Sequence, residues 1–312
     1  MEGLQFPVAD GHCDFLYGMA QYGYELASPK PGQTVRLSDL RAGGVAIQFF
    51  AAWTDMALRT APLHQCLAMI DAYERMREEY AEALVPLTRD FTPDCGRIAT
   101  VLTVEGGEAV DGSRAMLRTL YRLGVRAMTL TWNDNNELAG AALAKGNKGL
   151  TPLGCEMIDE MCALHMAIDV SHLSDRGIDD VLKRIDRPVF ASHSNARMAY
   201  DSPRSLHDDH IREIAGRGGT IGVNFYHKQL CGRRSASIRD IVRHIRHIVA
   251  VGGIDCCAIG SDFDGMPQYP EDLRSSRDFP ALAAALLADG FTESDVRKIL
   301  YENLHRYILE FV

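Results

Sequence analysis

A histidine and an aspartate two residues apart, His12 and Asp14, close the first apolar run of this chain, and both side-chain types bind divalent metal ions. In an extended strand residues i and i+2 share a face, so the pair can reach one ion while Cys13 turns away. Later apolar runs end in residues of the same kind: Glu105, His172 in Asp169-Val-Ser-His172, His193 in Ala191-Ser-His193, and Asp262 in Gly260-Ser-Asp262-Phe-Asp264. Singly, each has an ordinary explanation. A lone histidine is more often a hydrogen-bonded structural residue than a ligand, and a carboxylate after a strand often caps the next helix. Recurrence at the ends of successive runs points instead to one site.

Imidazole and carboxylate without thiolate suit Zn²⁺ or another divalent first-row ion that keeps positions open for water. Five ligands, His12, Asp14, Glu105, His172 and His193, exceed the needs of one four-coordinate ion with an open site, and Glu105 has two oxygens with which to bridge a pair. Two ions roughly 3.5–4 Å apart would bind a hydroxide between them and polarise a substrate carbonyl, which is the chemistry of hydrolysis. Competing chemistries find less support. There is no Gly-x-Ser-x-Gly elbow and no phosphate-binding Walker loop, and Cys13 stands on the strand face opposite His12.

The elements that must position these groups follow from periodicity. Eight short apolar runs, rich in β-branched and aromatic residues, are read as strands at 7–12, 45–51, 99–105, 127–131, 167–172, 189–193, 220–226 and 256–262. Helical spacing is read at 62–82, 113–123, 152–165, 178–185, 206–215, 238–251, 279–287 and 293–311. Thr151 before Pro152 and Thr292 before Glu293 are N-cap signals, and Gly43-Gly44, Gly124, Gly218-Gly219 and Gly252-Gly253 end helical patterns just before strands. This alternation predicts an α/β fold of the (β/α)₈ TIM-like barrel type, with parallel strands, formed by residues 1–312 as a single domain. In such a barrel the active site lies at the C-terminal ends of the strands, where the candidate ligands fall. The runner-up is an open doubly wound sheet, disfavoured because no Gly-x-Gly-x-x-Gly follows the first strand. The long connections 53–98 and 132–150 are expected to wall the site.

Bulk composition narrows the partners. A hydrophobic share of 46% and a charged share of 24% are those of a soluble globular protein. The formal charge of −9 argues against a nucleic-acid surface, and the basic run Arg233, Arg234, Arg239, Arg243 and Arg246 reads as a solvated helix face. Cys13, Cys66, Cys95, Cys155, Cys162, Cys231, Cys256 and Cys257 show no framework spacing and are read as reduced thiols. No secretory signal and no apolar run near the roughly 18 residues of a membrane helix is present, so a cytoplasmic protein without a membrane partner is expected. His64, His165, His207, His210, His227, His244, His247 and His305 are taken as structural or solvated.

The ordered set Asp10-Gly-His-Cys-Asp14, Val104-Glu-Gly106, Leu130-Thr-Trp-Asn133, Asp169-Val-Ser-His172, Ser192-His-Ser194, Asn224-Phe-Tyr226 and Gly260-Ser-Asp-Phe-Asp-Gly265 resembles the renal or membrane dipeptidase family of zinc peptidases. The motifs span nearly the whole chain in the family's order. The resemblance implies a (β/α)₈ barrel with two Zn²⁺ per chain, one held by His12 and Asp14, the other by His172 and His193, with Glu105 between them. It implies that Asp262 is the catalytic acid/base, that Arg204 binds the substrate carboxylate and that Tyr226 is a pocket wall. The chain departs from the animal members at Trp132, where they carry a histidine thought to help bind the substrate and its tetrahedral intermediate; bacterial relatives show a similar pattern. An indole donates one hydrogen bond and accepts none.

The substrate class so implied is small dipeptides, L,D as well as L,L, with a homodimer kept in view as the assembly. Two alternatives stand beside it. One is another amidohydrolase-type metal hydrolase acting on a cyclic amide, lactone or phosphoester, although such relatives usually carry His-x-His in the first strand where this chain has Asp14. The other is a catalytically silent metal-binding barrel.

Overall fold

The computed structural model describes residues 6–93 and 96–312. Its strands are β1 (Val8–Asp10), β2 (Val45–Trp53), β3 (Leu84–Pro86), β4 (Ile98–Glu105), β5 (Val125–Thr129), β6 (Ala167–Asp169), β7 (Phe190–Ala191), β8 (Thr220–Val223) and β9 (Cys257–Ile259). All pair in parallel, in the order β2-β1-β9-β8-β7-β6-β5-β4-β3, and β2 also pairs with β4. That last pairing closes eight strands into a ring, the (β/α)₈ barrel, with β3 as a short extra strand on the N-terminal half of β4.

Strand residues alternate between two cores, as a period of two requires. In β4, Ala99 and Val101 face the barrel interior, whereas Ile98, Leu102 and Val104 pack outward beneath the helices. Glu105 shares the inward phase of Ala99, Val101 and Thr103, so the inward face of the strand turns polar toward its mouth. Asp169 likewise shares the phase of Ala167.

Helices enclose the ring where 3.6-residue spacing places them: Pro62–Glu79, Arg114–Arg122, Pro152–Leu164, Asp175–Arg184, Asp208–Gly216, Ile238–Gly252 and Phe279–Ala288. The Thr151 hydroxyl accepts from the Gly154 N–H at 3.0 Å, and Thr292 forms a reciprocal capping box with Asp295. Gly124 and Gly253 take the positive φ, 101° and 86°, that lets each helix turn back into the sheet. From Glu293 to Phe311 the chain is helical throughout, with a π-helical turn at Lys298–Glu302. Tyr301, Leu304, Tyr307, Ile308 and Phe311 on this last helix close the N-terminal end of the barrel against Ile47, Val101 and Phe190; the Tyr307 and Phe190 rings lie 4.9 Å apart.

Among the described residues three short α-helices escape the periodic reading: Phe15–Tyr22, Leu37–Ala42 and His227–Leu230. The first begins at Asp14, whose carboxylate makes no cap hydrogen bond because it faces the site. Among the described residues of the connection 53–98, Trp53 alone lines the site; the connection also forms the helix Pro62–Glu79 and β3, which pairs at the far end of the barrel. The basic run is locally paired, Arg233 and Arg243 to Asp240 and Arg246 to Asp289, as a solvated helix face would be. Seven cysteines are free thiols, and Cys95 lies outside the described residues. Among the described residues no helix is long and apolar enough to cross a membrane.

Candidate metal centre

β4 ends on Glu105 itself, but the other strands stop short of their candidate residues, and the backbone beyond them does the aiming. β1 ends at Asp10, two residues before His12, and β6 ends at Asp169, three before His172. His12 and Asp14 therefore do not share a face of a regular strand; they converge from an irregular extension held by the Cys13–Phe263 bridge, with the Asp14 N–H donating to the Phe263 carbonyl at 2.9 Å. His172 and Asp262 adopt left-handed backbone, φ 68° and 64°, which non-glycine residues rarely do. Such conformations cost free energy and persist where surrounding contacts over-determine them.

The six groups meet at one mouth. His12 Nε2 lies 3.5 Å from Asp14 Oδ2, 3.4 Å from Glu105 Oε2 and 4.0 Å from Asp262 Oδ1. On the other side of the Glu105 carboxylate, Oε1 lies 2.9 Å from His172 Nε2 and 3.5 Å from His193 Nε2. Glu105 thus belongs to two separate ligand groups, His12-Asp14-Glu105 and Glu105-His172-His193, each compact enough to hold an ion.

The hydrogen-bond inventory tests whether a cation fits. Asn133 Oδ1, which can only accept, lies 3.0 Å from His172 Nδ1, so His172 carries its proton there and turns a lone pair outward at Nε2. Ser192 Oγ, which donates toward Ser171 Oγ, lies 2.7 Å from His193 Nδ1 and orients that ring in the same sense. The two Nε2 atoms then face each other at 2.8 Å, beside Glu105 Oε1, as three acceptors with no hydrogen between them. His12 Nε2 and Asp14 Oδ1 are buried without a hydrogen-bond partner. Facing and orphaned acceptors of this kind, with the opposite ring nitrogens of His172 and His193 hydrogen-bonded, fit divalent ions.

Electrostatics agree. Burial, and after it the charges of Arg204 and His12, push His172 down to about 4, and burial with His12 pushes His193 well below its ordinary value, so both rings are neutral, ligand-competent imidazoles. At His12 burial works in the same direction, but Glu105 and Asp14 outweigh it and raise the ring's proton affinity well above normal. A cation at that position would satisfy the same negative field. Asp14 is raised by burial and by Glu105, and Asp262 is pushed up to about 8 by burial, with Asp14 and Glu105 adding to it and His12 opposing. Asp262 Oδ2 accepts from Asn224 Nδ2 at 2.9 Å, leaving Oδ1 toward the cluster. An ideal Cβ at Gly265 would lie 2.0 Å from Asp14 Oδ2 and 2.3 Å from Asp262 Oδ1, so only glycine fits behind the two carboxylates.

Of the other expected site residues, Trp132 and Tyr226 line the cavity over the cluster, which measures ≈ 510 Å³. Arg204 is buried behind it, 4% exposed, with NH2 3.4 Å from the His193 carbonyl and Nε without a partner. Asn133, Ser192 and Asn224, which hold the two rings and Asp262, carry no metal-ligand signal of their own. They stand inside the quoted motifs and are recognisable only once their neighbours are placed.

A family model described as membrane dipeptidase, peptidase family M19, matches residues 4–311. The chain belongs to that family. It is thereby a metallo-dipeptidase of a family of hydrolases acting on peptide bonds. An uncharacterized dipeptidase of Schizosaccharomyces pombe is 33% identical, over 90% of this chain and 74% of its own length. Dipeptidase 3 of Mus musculus is 31% identical, over 96% of this chain and 64% of its own, so this chain spans slightly under two thirds of the mouse protein. A solved metallopeptidase from Rhodobacter sphaeroides, liganded with a phosphinate mimic of the dipeptide L-Ala-D-Ala, superposes with a TM-score of 0.89 at 26% identity, covering 99% of this chain and 100% of that one.

Proposed function

We propose that this M19 chain is a binuclear zinc dipeptidase that cleaves small dipeptides, L,D as well as L,L, with residues 1–312 acting as one barrel domain. The observation that carries the reading is Glu105, whose two oxygens face different histidine groups and so suit a carboxylate shared by two ions. His12 and Asp14 would hold one ion and His172 and His193 the other. Bound there, two Zn²⁺ ions would supply Lewis-acid polarisation of the scissile carbonyl and an acidified water.

The protein's own groups do the rest. Arg204, with an unpaired buried Nε, is suited to the free α-carboxylate of the substrate. Asp262, held by Asn224 and with Oδ1 toward the cluster, is placed to take a proton from the attacking water and return it to the leaving amine. Trp132 and Tyr226 form apolar walls and exclude solvent. The likeness to the Rhodobacter sphaeroides enzyme with its L-Ala-D-Ala mimic supports an L,D substrate as well as an L,L one. The cysteine spacing supports a cytoplasmic protein, and a homodimer remains the assembly to test.

The deciding experiment pairs metal analysis with turnover of L,L and L,D dipeptides by the loaded protein. Two ions per chain and hydrolysis of both classes are expected. One ion, or cleavage of cyclic amides or lactones in place of dipeptides, would refute the proposal.

A further inference from the structure

A run of aromatic rings crosses the cavity and ends on a proposed metal ligand. Tyr24 and Tyr22 are 5.8 Å apart, Tyr22 and Tyr17 5.9 Å, Tyr17 and Trp53 4.7 Å, Trp53 and Trp132 4.8 Å, and Trp132 and His172 6.4 Å, centroid to centroid. All lie in the range of interacting aromatic pairs. Tyr17 is fixed by donating its hydroxyl to Asp55 Oδ2 at 3.0 Å. Tyr22 is 60% exposed at the open end, an apolar surface that a ligand would cover. Among the described residues lining this cavity there is no lysine or arginine, whereas Asp14, Glu105, Asp262 and Asp264 all line it.

The ring of strands says which part of a dipeptide meets these aromatics. Arg204 lies on the connection after β7, and Trp53 ends β2, four strands from β7 in either direction around the eight-stranded ring. A dipeptide with its carboxylate on the β7 side and its scissile carbonyl over the central cluster therefore points its N-terminal residue toward β2. We infer that Tyr17, Tyr22, Trp53 and Trp132 form the subsite for the N-terminal side chain and select large aromatic or apolar residues there. This rests on the dipeptidase reading above and names its substrate class. An acidic side chain finds no lysine or arginine among the lining residues and loses hydration against the aromatic rings, which disfavours it.

The test is kcat/KM of the zinc-loaded protein on dipeptides X-Ala, with X as Phe, Leu, Ala, Glu or Lys, and on the reversed pair Ala-Phe. Phe-Ala is expected to exceed Ala-Ala by about 10- to 100-fold, mainly through KM, with Glu-Ala slowest. Trp53→Ala should shrink the Phe-Ala to Ala-Ala ratio to about 3 or less while leaving the Ala-Phe to Ala-Ala ratio in place, and Trp53→Phe should restore most of it. Tyr22→Ala, a change at an exposed ring that leaves folding intact, should lower the same ratio by a smaller factor, about 3. Phe-Ala and Ala-Ala turning over alike, Glu-Ala or Lys-Ala being preferred, or the preference surviving both alanine variants would overturn the inference alone. If the wild type cleaves no dipeptide, the proposed function fails first and this inference with it.

Discussion

At the N-terminal end of the barrel, Tyr301, Leu304, Tyr307, Ile308 and Phe311 pack into an interior of Ala99, Val101, Ala167 and Phe190; at the C-terminal end the same strands present Glu105, His172, His193 and their partners. Each end has a cavity of similar size nearby, ≈ 520 Å³ beside Phe6, Val45 and Ile98 and ≈ 510 Å³ over the ligand cluster, so volume does not distinguish them. Satisfaction does. The closed end consists of apolar contacts in which the unpartnered Tyr307 atom is a neutral hydroxyl, whereas the open end leaves ionisable or ion-binding atoms, His12 Nε2, Asp14 Oδ1 and Arg204 Nε, without partners. Strain follows the same division, for His172 and Asp262 hold left-handed backbone at the open end.

Four experiments can break or sharpen that contrast. Asp262→Asn should keep metal and fold yet lower kcat by about 10²- to 10⁴-fold, because it removes a proton carrier at the open end without removing a proposed ligand. Turnover near wild type, with metal content unchanged, would dissolve the role given to Asp262. At the closed end, Tyr307→Ala should cost about 3–5 kcal/mol in urea unfolding while leaving ion stoichiometry intact in the folded fraction. Because the Tyr307 hydroxyl is buried without a partner, Tyr307→Phe should cost under about 1 kcal/mol or stabilise.

The third experiment reads pH. His244, buried on the helix Ile238–Gly252 against the connections after β7 and β8, accepts the Ala196 N–H at Nδ1 (3.1 Å) and donates Nε2–H to the Leu230 carbonyl (2.9 Å), and burial holds its pKa down to about 4. Its folded value is below the unfolded one near 6.5, so the unfolded chain binds the extra proton. The stability it contributes is complete above pH ~6.5 and is lost as pH falls toward 4, on the order of 3 kcal/mol. His244→Gln should flatten the dependence between pH 7 and 4.5 by part of that amount; an unchanged slope would place the acid sensitivity in the ligand cluster and not in the connections packed beside it. The smallest expected effect is that of Ser192→Ala, which removes the partner of His193 Nδ1 and should weaken metal affinity about 10- to 100-fold without a large change in melting temperature of the loaded protein. Isothermal titration with Zn²⁺ would measure it.

Much of the open end was legible from residue order. His12, Glu105, His172, His193 and Asp262 each follow an apolar run, and a barrel brings all such positions to one rim, so counting strands was enough to gather them. The walls were less legible. Trp53 looks like the start of a long connection, and its role depends on Tyr17 and Trp132, which reach it from connections after other strands. Asn133 and Ser192 are ordinary polar residues until the histidine each one orients is placed beside it. The helix at 293–311 was readable as a helix but not as the floor of the barrel, because an apolar face does not say what it packs against.

Local chemistry therefore determined which side chains could bind metal, where strands and helices alternate, and that a parallel (β/α)₈ ring would collect the ligands at one end, since these follow from residue type and from periods of 2 and 3.6. Tertiary structure alone decided that Glu105 turns one oxygen to His12 and the other to His172, that the lone pairs of His172 and His193 are left facing one another, and that Trp53 stands across the ring from the Arg204 connection. The physical reason is closure. The β2–β4 pairing and the left-handed turns at His172 and Asp262 set distances between residues far apart in the chain, and no local pattern encodes those distances.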